Sequence, residues 1–246
     1  MTIETKLNSY IVPAGRAIPN EHYVIAVVDG TSFTEEVKPH FKKPYDPLFE
    51  DIMNETAREL LTHTSLRMAY VKSDEIVALL PPKQPYFQRN PAELAQRLSA
   101  KATRYFMGAS AKHHKPLSAE FHTTICDVPT AKEVEEVFIE RQLDHFINQL
   151  NGYAHAHGIA RTKREQVMAE LEKHYPQEGW RTYGTLVYRA YTEVDGHNPK
   201  TKQDTRTLRK QLRIEKNLRL FKDKKPDLHP LIVHPVANPD AVTGHR

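Results

Sequence analysis

Two short acidic turns constrain the fold of this chain more than any other feature. The first closes the apolar run Val24-Ile25-Ala26-Val27-Val28 with Asp29-Gly30. The second, Ser73-Asp74-Glu75, lies where the apolar run over residues 67–72 meets the run over 75–80. Short apolar runs bounded by turn residues read as buried strands, and two of them joined this tightly read as a β-hairpin. A carboxylate at a strand end is fixed by the sheet yet open to solvent. Two such carboxylates on adjacent strands can hold two divalent cations about 3.5–4 Å apart, a geometry that serves in-line phosphoryl transfer. Alone, Asp29-Gly30 is ordinary turn chemistry. Its pairing with Asp74 is what makes a metal site the better reading.

The segments around these turns set their arrangement. Asp46-Pro47 has the form of an N-cap followed by proline at the first helical position. Leu48, Ile52, Met53, Ala57, Leu60 and Leu61 then recur at helical spacing, which predicts a helix to about His63. Asn90-Pro91-Ala92-Glu93 opens a second helix to about Ala111. Glu120 to Val128 alternates as a strand, with Phe121, Thr123, Ile125 and Asp127 on one side. The order β-α-β-β-α-β is that of the ferredoxin-like split βαβ unit, the topology of polymerase and cyclase palms. In that unit Asp29 and Asp74 end neighbouring central strands, so the carboxylates converge.

The expected fold class is therefore α+β: a palm-like catalytic core over residues 1–130, with residues 131–246 as helical and basic C-terminal additions completing a single domain. Thr130-Ala131-Lys132-Glu133 is a capping box for a long helix through Tyr153, and Gly158 is its stop. Thr162-Lys163-Arg164-Glu165 caps a shorter helix to about Tyr175, and residues 182–193 alternate as a strand. From Lys200 to Lys225 the chain is dense in lysine and arginine, with helix or strand left open. Asp227 to Val236 reads as a last short strand, and 237–246 as a loose tail.

Composition narrows the function classes. The 246 residues are 39% hydrophobic, enough for a core, and no apolar run is long enough to span a bilayer. The first residues lack a charged-then-apolar signal pattern, and Cys126 is the only cysteine, so a reducing cytoplasm is the expected compartment. A net charge of +4 suits a polyanionic partner without establishing one. His113-His114 and His155-Ala156-His157 lack further ligands at zinc spacing and read as loop or surface histidines. Arg206, Arg209, Lys210, Arg213, Lys216 and Arg219 suit either RNA phosphates or a solvated basic face.

At the residues just named the chain resembles the tRNA-His guanylyltransferase family, enzymes that add nucleotides to RNA 5′ ends in the 3′-to-5′ direction. The resemblance is carried by Val28-Asp29-Gly30 with Phe33, then Lys43-Pro44 and Asp46, then Tyr70 and Ser73-Asp74-Glu75. It continues through Phe87 and Arg89, the helical run Arg141-Gln142, Asp144, Ile147-Asn148 and Leu150, and Gly184. It implies a magnesium-dependent nucleotidyltransferase with two Mg2+ ions, ATP and GTP as substrates, a tRNA partner and a homotetrameric assembly. It further implies that Asp29 and Asp74 ligate the metals with the Gly30 carbonyl as a third contact. Glu75 would sit beside them as a catalytic acid, Lys43, Ser73 and Arg89 would hold triphosphate, and Asn148 would lie near the nucleotide.

The chain also departs from the family pattern. Val27 and Thr31 stand where the family has arginines, Thr34 and Phe146 where it has histidines, and Gly152 where it has an asparagine. Phe121-His122-Thr123-Thr124 replaces a Phe-Asp-x-Arg strand, and a lysine-containing stretch after the long helix is missing before Pro176. The two acids are kept while parts of the substrate pockets are not. Two alternatives therefore stand beside addition to tRNA-His: a repair-type enzyme refilling 5′-truncated tRNA or another RNA, and an RNA-binding homologue without catalysis. Each residue also has a plainer reading. Lys43 could be one solvated lysine among several, Ser73 a turn residue, Arg89 a surface ion-pair partner, and Asn148 a partner of Asp144 on an exposed helix.

Overall fold

The computed structural model describes residues 6–233 apart from 14, 44–45, 161–162, 175–181, 199, 201 and 225. Pro44, the Thr162 cap, the Tyr175-Pro176 run and the tail 237–246 lie outside the described residues, as does the side chain of Arg206. The strands are β1 (Tyr23–Thr31), β2 (Met68–Lys72), β3 (Glu75–Leu80), β4 (Glu120–Val128), β5 (Thr185–Asn198) and β6 (Gln203–Glu215). The helices are α1 (Phe33–Glu36), α2 (Pro47–Thr62), α3 (Pro91–Lys112), α4 (Ala131–Ala156), α5 (Arg164–His174) and α6 (His229–Val233). The strands form one six-stranded sheet in the order β4-β1-β3-β2-β5-β6, antiparallel at every pairing.

The helix starts follow their local sequence. The Asp46 side chain accepts from the Leu48 N–H at 2.9 Å and from the Lys42 N–H at 2.8 Å, so one residue caps α2 and ties down the loop before it. Asn90 caps α3 by accepting from the Glu93 N–H at 3.1 Å, with Pro91 at the first helical position. Thr130 and Glu133 form the reciprocal capping box of α4.

Alternation along the strands divides the core between the two faces of the sheet. Val24, Ala26 and Val28 of β1 and Ile76, Ala78 and Leu80 of β3 join the first face, against Ile52, Met53, Leu60 and Leu61 of α2 and Leu94, Leu98 and Phe106 of α3. Ile25 and Val27 of β1 and Val77 and Leu79 of β3 join the second, against Val134, Val137 and Phe138 of α4 and Leu231 and Ile232 of α6. By the same alternation Asp29, Lys72 and Glu75 fall on the α4 face at the strand ends.

Two glycines permit close approaches. A Cβ on Gly30 would lie 2.4 Å from the Phe33 ring, which packs edge-on to Phe106 and Phe121. Gly184 has φ +82°, and a Cβ there would lie 2.7 Å from the Val71 carbonyl.

The C-terminal part differs from expectation. The segment expected as a strand over Asp227–Val236 contains α6 instead, because Asp227 accepts from the His229 N–H at 3.1 Å and Pro230 has no N–H to give a ladder. Leu231 and Ile232 are both buried, which suits a helix under the sheet and not an alternating strand. The basic stretch is β6, which among the described residues pairs with β5 alone and forms the edge of the sheet. Its exposed Arg209, Lys210 and Arg213 suit an edge that must not pair further.

Candidate active site

A cavity of about 690 Å³ opens where the α4 face of the sheet ends. Its walls are the ends of β1, β2 and β3, the loop before α2, the first turn of α2 and the second half of α4. Asp29 and Glu75 are direct partners across β1 and β3, and Lys72 faces Glu75 across the hairpin. The Gly30 N–H donates to the Asp74 carbonyl at 3.2 Å, which ties the hairpin turn to the end of β1. Ser73 takes a left-handed φ of +54° in that turn, and its hydroxyl donates to Asp74 Oδ1 at 2.8 Å.

The three acids sit in different electrostatic settings. The Asp29 carboxyl is pushed up from its ordinary value by burial, then by repulsion from Asp74 and Glu75. Asp74 has the Lys38 ammonium 3.1 Å from its Oδ1. Glu75 is buried, yet its carboxyl is lowered to about 2, because hydrogen bonds and charge from His145 and Arg141 outweigh its burial. Arg141 Nε donates to Glu75 Oε1 at 3.1 Å and its Nη2 to Oε2, while His145 Nε2 lies 2.9 Å from Oε1.

Five of the residues singled out in the sequence besides Glu75 therefore meet or flank this cavity: Asp29, Lys43, Ser73, Asp74 and Asn148 line it, together with Glu75 itself. Gly30 adjoins Asp29 in β1. Glu75 lies beside Asp29 at the cavity, and both its carboxylate oxygens are taken up by Arg141 and His145; its charge fixes those two side chains at the cavity wall. Arg89 lies elsewhere. It is 1% exposed, and its guanidinium donates to the carbonyls of Pro19 at 3.1 Å, Pro81 at 3.3 Å and His22 at 2.5 Å. It is neither a triphosphate ligand nor a surface ion-pair partner but a buried tie between loops. Asp144 lies 3.5 Å from Arg141 rather than serving as a pair for Asn148.

Sequence reasoning missed several lining residues. Lys38 and Lys42 were hidden among neighbouring lysines, and His145 had no signal besides standing one helical turn after Arg141. Glu50, in the first turn of α2, also lines the cavity. Burial pushes its carboxyl up, while the Thr185 hydroxyl and the Asn54 amide hydrogen-bond it.

The donor set suits a hard divalent cation. Among the described residues no three Asp, Glu, His or Cys side chains converge as a ready-made cage. Magnesium-type sites are instead built from one or two carboxylates, with water and substrate phosphate completing the shell. Asp29 and Asp74 supply two, and the raised Asp29 carboxyl marks a place where added positive charge relieves repulsion. Lys38, Lys42 and Lys43 line the same cavity and bring ammonium groups suited to a polyphosphate.

Known proteins share this architecture. A bacterial tRNA(His) guanylyltransferase (Thg1)-like protein in complex with ATP aligns with a TM-score of 0.70 at 20% identity, over 92% of this chain and 95% of that one. A bacterial protein of the same description in complex with GTP aligns with a TM-score of 0.65 at 19% identity, over 92% and 95%. The tRNA(His) guanylyltransferase of Saccharomyces cerevisiae aligns with a TM-score of 0.59 at 20% identity, over 80% and 93%. At these identities the likeness shows the fold. No curated protein sequence matches the chain. The family model described as tRNAHis guanylyltransferase (Thg1) matches residues 8–130, half of the chain. With Asp29-Gly30 and Ser73-Asp74-Glu75 inside the matched span, the chain belongs to the tRNAHis guanylyltransferase family and is a nucleotidyltransferase.

Proposed function

We propose that the protein transfers a nucleotide to a tRNA 5′ end in the 3′-to-5′ direction, with ATP activating the end and GTP supplying the added nucleotide. One observation carries this reading: Asp29, Ser73 and Asp74 share a cavity with Lys38, Lys42 and Lys43. Carboxylates for cations and ammonium groups for phosphates in one cavity are what nucleotidyl transfer needs. The β-α-β-β-α-β unit that carries the acids is read as a palm-like core.

Asp29, Asp74 and the Gly30 carbonyl would hold two magnesium ions. So held, magnesium polarises the phosphoryl group and makes the attacking oxygen a better nucleophile. The chain's own part is placement. Ser73 orients the Asp74 carboxylate through its 2.8 Å hydrogen bond. Lys42 and Lys43 sit on a loop fastened by Asp46, so their ammonium groups meet the triphosphate from a held position. Lys38 is paired with Asp74 at 3.1 Å, which keeps its ammonium group at the cavity for a phosphate. Glu75 keeps Arg141 beside the site, where a fixed guanidinium offsets negative charge on the transferred group.

A second reading keeps the chemistry and changes the RNA. Val27, Thr31 and Phe146 in place of basic family residues favour an enzyme that refills truncated 5′ ends. The deciding experiment is label transfer from α-labelled GTP and ATP, with magnesium, to tRNAs carrying a 5′-monophosphate, a 5′-triphosphate or a truncated 5′ end. Incorporation is expected, and the preferred RNA chooses between maturation and repair. A folded protein that binds tRNA but incorporates nothing on any of the three would overturn the proposal in favour of binding without catalysis.

A further inference from the structure

We infer that Gln149 reads a nucleobase inside the cavity, and that Gly152 leaves the room for it. The inference rests on the nucleotidyl-transfer reading above.

Gln149 lines the cavity, and both polar atoms of its amide, Nε2 and Oε1, are buried without a hydrogen-bond partner. Folded proteins rarely leave a buried donor and acceptor unmet, and those that remain call for a ligand or another explanation. The same helix shows the contrast. Gln142 stands two turns earlier, on the same side of α4, and is 1% exposed. Its Nε2 donates to the carbonyls of Tyr183 at 3.1 Å and Arg219 at 3.0 Å, and its Oε1 accepts from the Phe221 N–H at 2.6 Å. Where α4 packs on protein, its glutamine is fully satisfied. Where α4 meets the cavity, its glutamine is not.

The ligand chemistry follows from what stands nearby. Phosphate is provided for by Lys38, Lys42 and Lys43, which line the same cavity. A neutral amide adds little for phosphate, but it carries a donor beside an acceptor, the pattern on the edge of a nucleobase. One turn after Gln149, Gly152 also lines the cavity, and a Cβ there would meet nothing within 4 Å. A glycine inside a helix is less stable than alanine. This one opens helix backbone toward the cavity, beside the unmet amide. A base whose edge reaches Gln149 would lie against this stretch of helix. The base belongs either to a free nucleoside triphosphate or to the RNA end, and the recognition chemistry is the same for both.

The test uses the full chain with Gln149→Leu and Gly152→Leu. In the first arm, calorimetric titration with magnesium compares ATP, GTP, CTP, UTP and inorganic tripolyphosphate. In the second, kcat/KM is measured on tRNAs that differ in their 5′-terminal base. Both variants should keep tripolyphosphate affinity within about twofold. They should lose roughly tenfold in affinity for the preferred triphosphate if its base is the one read, or roughly tenfold in discrimination between RNA ends if the RNA base is read. Gly152→Leu should also melt no lower than the wild type, since leucine is the better helix former. Wild-type base preference in both arms overturns the inference alone. Loss of tripolyphosphate affinity along with the triphosphates also overturns it, because the residues would then shape the cavity as a whole. A wild-type protein that binds neither triphosphates nor tripolyphosphate overturns the reading of the cavity as a nucleotide site, and this inference with it.

Discussion

On the α2–α3 face of the sheet, each inward residue of β1 and β3 meets aliphatic or aromatic carbon out to the strand ends. On the α4 face the same alternation runs from Ile25 and Val27 into Asp29, and from Leu79 and Val77 into Glu75. The strands are shared; the covering helices differ. α2 and α3 pack mostly apolar side chains against the sheet, with Glu50, Asn54 and Thr56 as buried polar groups of α2. α4 is apolar through Phe138 and then turns to Arg141, Gln142 and His145, with the cavity beyond. One face spends its length on burial, and the other stops packing where the carboxylates begin. Stability and chemistry are thus divided between the two faces, which makes the division testable.

The largest effect is expected on the closed face. Phe106→Ala removes a fully buried ring in edge-on contact with Phe33 and Phe121, and should cost about 3–5 kcal/mol in denaturant titrations. Nucleotide incorporation per folded molecule should stay near the wild-type level. A loss below about 1 kcal/mol would break the claim that this face carries the core.

On the open face, Glu75→Ala should cost about 3 kcal/mol, since it takes the buried carboxylate from the Arg141 guanidinium and leaves it only Asp144 at 3.5 Å. This acid also gives a pH signature. Its folded pKa is depressed to about 2 from 4.5, so its contribution is complete above the unfolded value and is lost as pH falls from 4.5 toward 2. Without added metal, wild-type stability should drop across that window. Glu75→Gln should be weaker at neutral pH and flatter below pH 4.5. Parallel pH curves for the two proteins would contradict the assignment.

Thr130→Ala probes the start of α4, away from the cavity. Loss of the capping box should lower stability by about 1 kcal/mol. Substrate KM should not move, and a KM shift would show that the two halves of α4 are coupled.

The smallest effect has the opposite sign. A raised Asp29 pKa means that its charge disfavours the folded state above the unfolded pKa, and that the cost is relieved as pH falls. Asp29→Asn should therefore raise the metal-free melting temperature, by roughly 1–3 °C, while it abolishes incorporation. A lowered melting temperature would mean that Asp29 is not held against repulsion.

Much of the closed face was legible in the sequence. The helical period of Leu48 through Leu61, the caps at Asp46 and Asn90 and the Ser73-Asp74 turn are local signals, and each decides a local structure. The open face was legible only where the family motifs marked it. Glu75 and Arg141 are 66 residues apart, and nothing local announces their pairing. Arg89 shows that a motif residue can be read correctly by position and wrongly by role, since charge in a sequence does not say whether carbonyls or phosphates receive it. The strand expected over Asp227–Val236 failed for a different reason: the short apolar run Leu231-Ile232-Val233 does not separate strand from helix, and Asp227 with Pro230 settled it as α6. The β5–β6 edge was half visible, as alternation in β5 and as a charge-rich stretch in β6 that hid its strand.

The central claim is that Asp29 and Asp74 together make the site of nucleotidyl transfer. Its most direct test is magnesium-dependent incorporation from α-labelled GTP and ATP by Asp74→Asn beside the wild type, with melting temperature measured on the same samples. Incorporation by Asp74→Asn should fall about 1,000-fold, roughly 4 kcal/mol of transition-state stabilisation, in a protein as stable as the wild type. Wild-type turnover by folded Asp74→Asn would contradict it.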